Sequence, residues 1–389
     1  MAYAVLIVSA LLIDMALNLP LGSLPLALAR NGVPAGAIAL IIGAGSIAAL
    51  AASVPIGGLA DRFGRLPTIR IAGAVCALSM ISLAFVSDPV LNGTIMAIRG
   101  IAITAYGTAE FAYASSIVAP ERAVSATSSL GMVANLSFAT APAIGYWLWQ
   151  HGIERSQYAW GGALALAGAV ILFNLPKEKG RRVRRSRKIF MRSAWLPTIT
   201  YLVACSLQGG VNGALAVLTF HQRGIGNAAL LFTAMAGTTF ALRYVAGRMV
   251  DRFGPRIVAI PTALMQAAGA LLAAHAHTPA DVVLAGVCLG VAWAAVVPVG
   301  IGLFFERSSK GTRGAAMGSY SFAFGIGGTA GALLASGAAI FGGGYTAAMT
   351  VCAVSSILAL PWVLASGEGR PARTSVVPPA GREAIGMGE

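Results

Sequence analysis

The stretch Gly57-Gly58-Leu59-Ala60-Asp61-Arg62-Phe63-Gly64-Arg65 closes one long apolar run and leads into another. It returns 190 residues later as Gly247-Arg248-Met249-Val250-Asp251-Arg252-Phe253-Gly254. A second pair, Arg122 and Arg313, opens an apolar run in each copy at an offset of 191. Two anchors at nearly one offset predict that the chain is a unit repeated twice, the kind of weak internal symmetry found in duplicated membrane folds.

Working outward from these anchors, the composition fixes the solvent. Of 389 residues 57% are apolar and only 10% charged, with 48 glycines and a mean hydropathy of +0.78. Soluble domains carry about 25% charged residues, so this chain cannot clothe a water-facing surface, and it is far too apolar for disorder. The glycines lack the three-residue period of collagen. Cys76, Cys205, Cys288 and Cys352 lie far apart in apolar runs, as packing residues rather than a disulfide framework or a zinc site. The net charge of +14 sits in short clusters between apolar stretches, which excludes a nucleic-acid-binding face.

A helix needs about 20 apolar residues to cross a bilayer. That ruler predicts an all-α integral membrane protein with twelve transmembrane helices in two six-helix pseudo-repeats. The spans lie near 4–29, 35–60, 68–87, 90–117, 124–148 and 157–175, then 195–220, 226–250, 256–276, 280–305, 314–338 and 344–366. Residues 1–175 form the first bundle, 176–193 a basic linker, 194–366 the second bundle and 367–389 a disordered tail. With both termini inside, 22 of the 27 Lys and Arg residues are cytoplasmic, nine of them between Lys177 and Arg192. Only Arg30, Arg155 and Arg223 fall outside, and Arg99 and Arg243 lie within spans, as the positive-inside rule requires. The absence of a basic segment before the first span predicts that it stays uncleaved.

The repeated segment is similar to the signature loop of the major facilitator superfamily. Leu66 and Pro255 stand where that family usually has a basic residue. The resemblance implies the major facilitator fold, transport by alternating access, and a latch at the ends of spans 2 and 8 made from Gly57, Asp61, Arg62, Gly64, Arg65, Gly247, Asp251, Arg252, Arg243 and Arg313. Asp61 lies four residues after Gly57, on the same helical face, where a carboxylate can cap a neighbouring helix and pair with arginine. Span 11, which begins near Arg313, is the partner that the resemblance implies. The alternative is a tight turn whose charges only enforce topology. Arg99 resembles the embedded arginine of proton antiporters, although Ala102-Ile103 replace the usual Gln-Gly. Ala141-Pro142-Ala143-Ile144-Gly145 is similar to an exporter-type kink carried by Pro142 and Gly145. Together these marks resemble small bacterial drug or metabolite:proton antiporters of the inner membrane.

Charge inside hydrocarbon is costly, so ionisable residues within spans are functional candidates. Asp14, Arg99 and Glu110 are assigned to proton coupling, Asp14 and Arg99 near midplane and Glu110 nearer the cytoplasmic end. Glu110 and Arg243 also fit an ion network beside the signature loops. Asn18, Tyr106, Asn135, Gln208, Asn212 and Trp293 are assigned to a substrate cavity between the halves, each with interhelical hydrogen bonding or packing as its alternative role. His275 and His277 read as exposed loop residues. No nucleophile elbow, H-E-x-x-H or phosphate loop occurs, so neither an enzyme nor an ATP-driven pump is expected. The expectation is a monomeric transporter without cofactor or metal, using protons, a small organic solute and anionic lipid at the linker. Export is favoured over uptake by symport or facilitated diffusion. A non-transporting receptor of the same fold is the distant alternative.

Overall fold

A computed structural model describes residues 2–118, 123–176, 195–305 and 313–365. The basic linker, the tail, and the side chains of Asp61, Arg62 and Arg313 lie outside the described residues. All regular structure among them is helical. Spans 1 to 6 are α1 (Ala2–Asn18) with α2 (Pro20–Arg30), α3 (Ala35–Phe63), α4 (Arg65–Phe85), α5 (Pro89–Ile117), α6 (Ala123–Gln150) and α7 (Glu154–Ile171). Spans 7 to 12 are α8 (Trp195–Val211) with α9 (Val217–Gln222), α10 (Leu230–Phe253), α11 (Pro255–Ala274), α12 (Pro279–Phe305), α13 (Arg313–Ile340) and α14 (Gly344–Ala365). Ten segments are long and apolar enough to cross a membrane among the described residues. The remaining two, α5 and α6, have crossing length but are enriched in Gly, Ser, Thr and Tyr.

The duplication is visible in backbone geometry. Gly64 and Gly254 end the two signature copies with φ of +93° and +84°, a region that favours glycine, and each directly precedes a helix. The first span of each unit is also interrupted. Pro20 lacks an N–H and cannot continue the ladder, so span 1 breaks at Leu19. Span 7 instead carries one turn of π-helix, Asn212–Ala216, a form that recurs at functional sites.

Both interrupted spans are gripped in the same way. A Cβ built on Gly22 would lie 1.9 Å from the Pro142 carbonyl oxygen, and one on Gly145 would lie 2.2 Å from that of Leu19. In the second unit a Cβ on Gly210 would meet the Gly328 oxygen at 2.1 Å, and one on Gly331 the Leu207 oxygen at 1.9 Å. Only glycine lets backbones approach this closely, the membrane counterpart of small-residue helix packing. The Pro142/Gly145 segment of span 5 is therefore a socket for the break in span 1, and span 11 grips span 7 likewise.

The hydrophobic core shows where the two units meet. On the face away from the basic loops one continuous cluster joins Leu24, Ile38 and Tyr146 of the first unit to Val217, Phe232 and Ala335 of the second. Toward the basic face the core divides in two. One cluster runs through Leu6, Ile69 and Tyr113 of the first unit, and the other through Tyr201, Val258 and Phe304 of the second. Polar bonds between the units follow the same division. Ser336 donates to the Gly36 carbonyl at 2.9 Å, Thr329 to Ser46 at 3.0 Å and Thr233 to Ala139 at 2.7 Å, while Tyr146 bonds His221 Nδ1 at 3.1 Å. Among the described residues the arrangement is closed away from the basic loops and parted toward them.

Candidate functional site

Two acidic residues of the first unit lie within spans well away from the loops, Asp14 on α1 and Glu110 on α5. Glu110 is 4% exposed and accepts a hydrogen bond from the Tyr106 hydroxyl, one turn earlier, at 3.2 Å. Asp14 of α1 is partly buried and within electrostatic reach of both Tyr106 and Glu110. No cation pairs with either carboxylate among the described residues. The Asn18 side-chain amide donates to the backbone carbonyl of Asp14 at 2.9 Å, bracing α1 just before its break.

Arg99, expected near midplane like Asp14, reaches α1 three residues beyond Asp14. It is 6% exposed, and its Nη2 donates to the backbone carbonyl of Leu17 while Nη1 approaches Met96 Sδ at 3.6 Å. The break at Leu19-Pro20 leaves carbonyls of α1 short of donors, and inside a bilayer such groups must be satisfied by protein. Arg99 supplies one, so its charge sits against the hinge of span 1, on the same helix as Asp14 but three residues beyond it.

The second unit contributes rings. Trp293 of α12 and Phe324 of α13 have centroids 5.3 Å apart, and Tyr320 lies 6.0 Å from Phe324. All three remain partly exposed, Trp293 lies beside Gly209, and Arg243 of α10 is within electrostatic reach of Tyr320. Tyr320 and Phe324 escaped the sequence reading because aromatic residues on a membrane helix carry no directional signal until the neighbouring helix is placed. Gln208 and Asn212, expected to line the cavity, are instead 0% and 2% exposed in this state. Asn212 donates to Gln208 Oε1 at 2.5 Å and accepts from the Tyr345 hydroxyl at 2.6 Å, at the start of the π-turn. They form a buried polar knot inside the second unit. Their four-residue spacing put them on one face, and that face turns inward.

Asn135 lines a separate, mainly apolar cavity of about 470 Å³ between the units, bounded by Tyr3 and Ile7 of α1, Leu136 of α6 and Phe240 of α10. Of the latch residues, Arg65 donates to the Ala112 carbonyl at 2.8 Å, tying the signature loop to α5. Asp251 and Arg252 are exposed, and Arg252 lies over the Phe253 ring at 5.3 Å. Among the described residues a Cβ on Gly247 would meet nothing within 4 Å. His275 and His277 are exposed, as expected. Among the described residues no three His, Cys, Asp or Glu side chains could hold a metal, and all four cysteines are unpaired.

Twelve spans in two like-folded units, with polar groups at mid-depth and a core split toward one face, define a multi-pass membrane transporter. The sequence matches the family profile of the Major Facilitator Superfamily over residues 6–228 and again over 198–385, and the chain belongs to that family. No curated protein sequence is similar enough to match. Among solved structures, the nucleoside transporter NupG is similar at 15% identity with a TM-score of 0.76, covering 94% of this chain and 98% of its own. A bacterial homologue of the human lysosomal transporter Spinster, in an inward-facing and occupied conformation, gives a TM-score of 0.75 at 12% identity, covering 95% and 96%. The D-xylose-proton symporter gives 0.72 at 17% identity, covering 95% and 97%. These likenesses establish the fold.

Proposed function

We propose that this chain is a proton-coupled secondary transporter exporting a small amphipathic organic solute, as a monomer in the bacterial inner membrane with both termini cytoplasmic. The observation that carries the reading is the Asp14–Tyr106–Glu110 cluster: two carboxylates within electrostatic reach, at membrane depth, with no cation paired to either among the described residues. Like charges in a low-dielectric site cannot both ionise cheaply, so the pair is suited to taking up and releasing a proton. With the units parted toward the basic face, proton release there leaves a carboxylate for the solute to cover. The rings of Trp293, Phe324 and Tyr320 in the second unit offer an apolar and π-rich surface for the rest of the solute. Closing the basic face over a bare charge is expensive. The units therefore cross with solute aboard in one direction and with a proton in the other, which makes the two occupancies thermodynamically linked. Liposomes loaded with a pH dye test this: an accepted solute moving outward in the cellular sense should drive protons the opposite way. Solute movement with no proton flux would remove the coupling.

Export rests on the Pro142/Gly145 socket and its resemblance to exporter kinks. Uptake by proton symport is the second reading, favoured by the fold shared with a D-xylose-proton symporter. The sign of proton flux relative to solute flux separates the two.

The signature loop is assigned to switching rather than binding. Asp61→Asn should slow exchange between access states while leaving solute affinity within a few-fold. Binding in detergent and exchange in liposomes measure the two separately, and unchanged exchange at full expression would discard the latch. The basic linker is assigned to anionic lipid, at about 1 kcal/mol per contacting charge. Neutralising Arg181, Arg182, Arg184 and Arg185 together should remove the dependence of transport on anionic lipid without inverting the topology. Equal lipid dependence in both proteins would reduce the segment to a tether.

A further inference from the structure

The face away from the basic loops is held shut by two kinds of polar contact between the units. Ser336, Thr329 and Thr233 each donate to a backbone carbonyl across the gap, and none of these groups changes charge with pH. Tyr146 and His221 differ. The Tyr146 hydroxyl of α6 lies 3.1 Å from His221 Nδ1 of α9, and the Trp149 ring stands edge to face with the imidazole, centroids 4.9 Å apart at 83°. Histidine is the side chain whose charge ordinarily changes between pH 5 and 8, and here it forms part of a bond that joins the units.

We propose that His221 is a proton-binding site on the closed face, and that its protonation releases Tyr146 and opens that face. Hydrogen-bond direction decides the matter. Tyr146 is 1% exposed, and its oxygen already faces two donors, the Ala228 N–H and the Gln150 side-chain amide. A tyrosine hydroxyl has one proton to give, and His221 Nδ1 is the acceptor within reach. The neutral ring therefore fits, with Nδ1 accepting and Nε2 carrying the hydrogen. A proton on Nδ1 would set a third donor against the Tyr146 oxygen and strand the hydroxyl proton without an acceptor, at the cost of an unmade buried bond. Acceptors are already scarce, since Trp149 Nε1 is buried nearby with no hydrogen-bond partner among the described residues. His221 itself is half-buried, so protons from the water on this face reach it.

The surrounding elements supply no counter-ion among the described residues. α2, which packs against α9, ends in Arg30; α6 brings Tyr146 and, just past its end, His151; α14 brings Tyr345, stacked edge-on with Phe220. Arg223, two residues after His221, spends its donors on the Ala274 and Ala276 carbonyls and Thr346 Oγ1 and adds a like charge. Of the acids on this face, Asp88 caps α5 at the Leu91 N–H and Asp281 holds the turn before α12 through the His277 and Thr278 N–H groups. The Glu154 side chain lies outside the described residues and is tested directly below. An imidazolium would be drawn to the Trp149 ring, but the lost Tyr146 bond, the Arg223 charge and the apolar cluster around Tyr146 and Phe220 oppose it. Protons thus bind the opened face better than the closed one, so acid on this side shifts the chain toward opening there. This holds for any solute and does not depend on the Asp14 cluster.

The test uses the purified full chain without solute. Nitroxides at Val90→Cys and Phe341→Cys, both exposed and one in each unit, report the width of the closed face, with Cys288→Ser removing the half-buried native thiol. The population with long inter-label distances should grow about threefold or more between pH 8 and pH 5.5. His221→Asn places an amide near the Nδ1 position but cannot titrate, so it should stay closed at both values. Tyr146→Phe, which lacks the bond, should be wider than wild type already at pH 8 and respond little to acid; it decides the matter if His221→Asn folds poorly. Glu154→Gln, His151→Asn and Asp14→Asn should all keep the response. No widening of the wild type in acid, a full response in His221→Asn or Tyr146→Phe, or a response lost in Glu154→Gln, His151→Asn or Asp14→Asn would overturn the proposal.

Discussion

Replacing Asp14 with asparagine should abolish solute accumulation driven by a pH gradient, while solute exchange without a gradient continues. The asparagine keeps the shape and hydrogen-bonding capacity of the side chain but cannot gain or lose a proton. Glu110 is left as a lone carboxylate with its Tyr106 hydrogen bond, and the like-charge partner is gone. An exchanger that no longer alternates between a covered charge and a proton loses the coupling between the two cargoes, not the route. The measurement is radiolabelled solute in liposomes with an imposed gradient, compared with counterflow at equal pH. Accumulation at the wild-type level would move the proton to Glu110, where Glu110→Gln makes the same test. The effect of Arg99 should differ in kind. Because its guanidinium serves the Leu17 carbonyl at the break in span 1, Arg99→Ala should act on the span 1 hinge and on stability as well as on the pH profile.

The second large effect belongs to the glycine sockets. Gly145→Val and Gly331→Val each drive a side chain into a backbone carbonyl, Leu19 or Leu207, that has no rotamer through which to escape. Overpacking of this kind costs about 1–3 kcal/mol even where side chains can shift, and backbone contact at 2.2 Å or below is harsher. Both variants should therefore lower the thermal midpoint strongly and lose transport. Gly237→Ala is the control, since its Cβ would meet nothing within 4 Å and alanine is the better helix former by about 1 kcal/mol. Midpoints that fall equally in all three would show that the sockets are ordinary helix packing.

Much of the architecture was legible in sequence because bilayer thickness is a ruler and Asp-Arg-Phe-Gly is a rare enough phrase to notice twice. The two glycines that end those phrases, Gly64 and Gly254, adopt matching backbone conformations. The twelve-span expectation treated α5 and α6 like the others, although their small polar residues lower hydropathy without shortening the helix. The interruptions were half legible: Pro20 announces a break, whereas nothing in Asn212–Ala216 announces a π-turn. The sockets were hidden for a different reason. Gly22 and Gly145 are more than a hundred residues apart and become one contact only after packing.

The candidate site was legible in its charges and not in its directions. Glu110 and Tyr106 share a helical face and do bond, as one-turn spacing allows. Gln208 and Asn212 have the same spacing but turn into the second unit, toward Tyr345. Periodicity states which residues share a face, and only the neighbouring helices decide whether that face meets solute, lipid or core. Trp293 was named alone because Tyr320 and Phe324 belong to another helix.

The central claim is that proton movement and solute movement through this chain are one process. Its most direct test uses purified protein in sealed liposomes with pyranine inside and an accepted solute on one side only, in the absence of any imposed pH gradient. The account predicts that the solute gradient alone creates a pH difference. Its sign should be that of exchange, solute and protons crossing in opposite directions, and it should vanish in Asp14→Asn. Solute equilibration with a flat internal pH, at the same rate in wild type and variant, would contradict it.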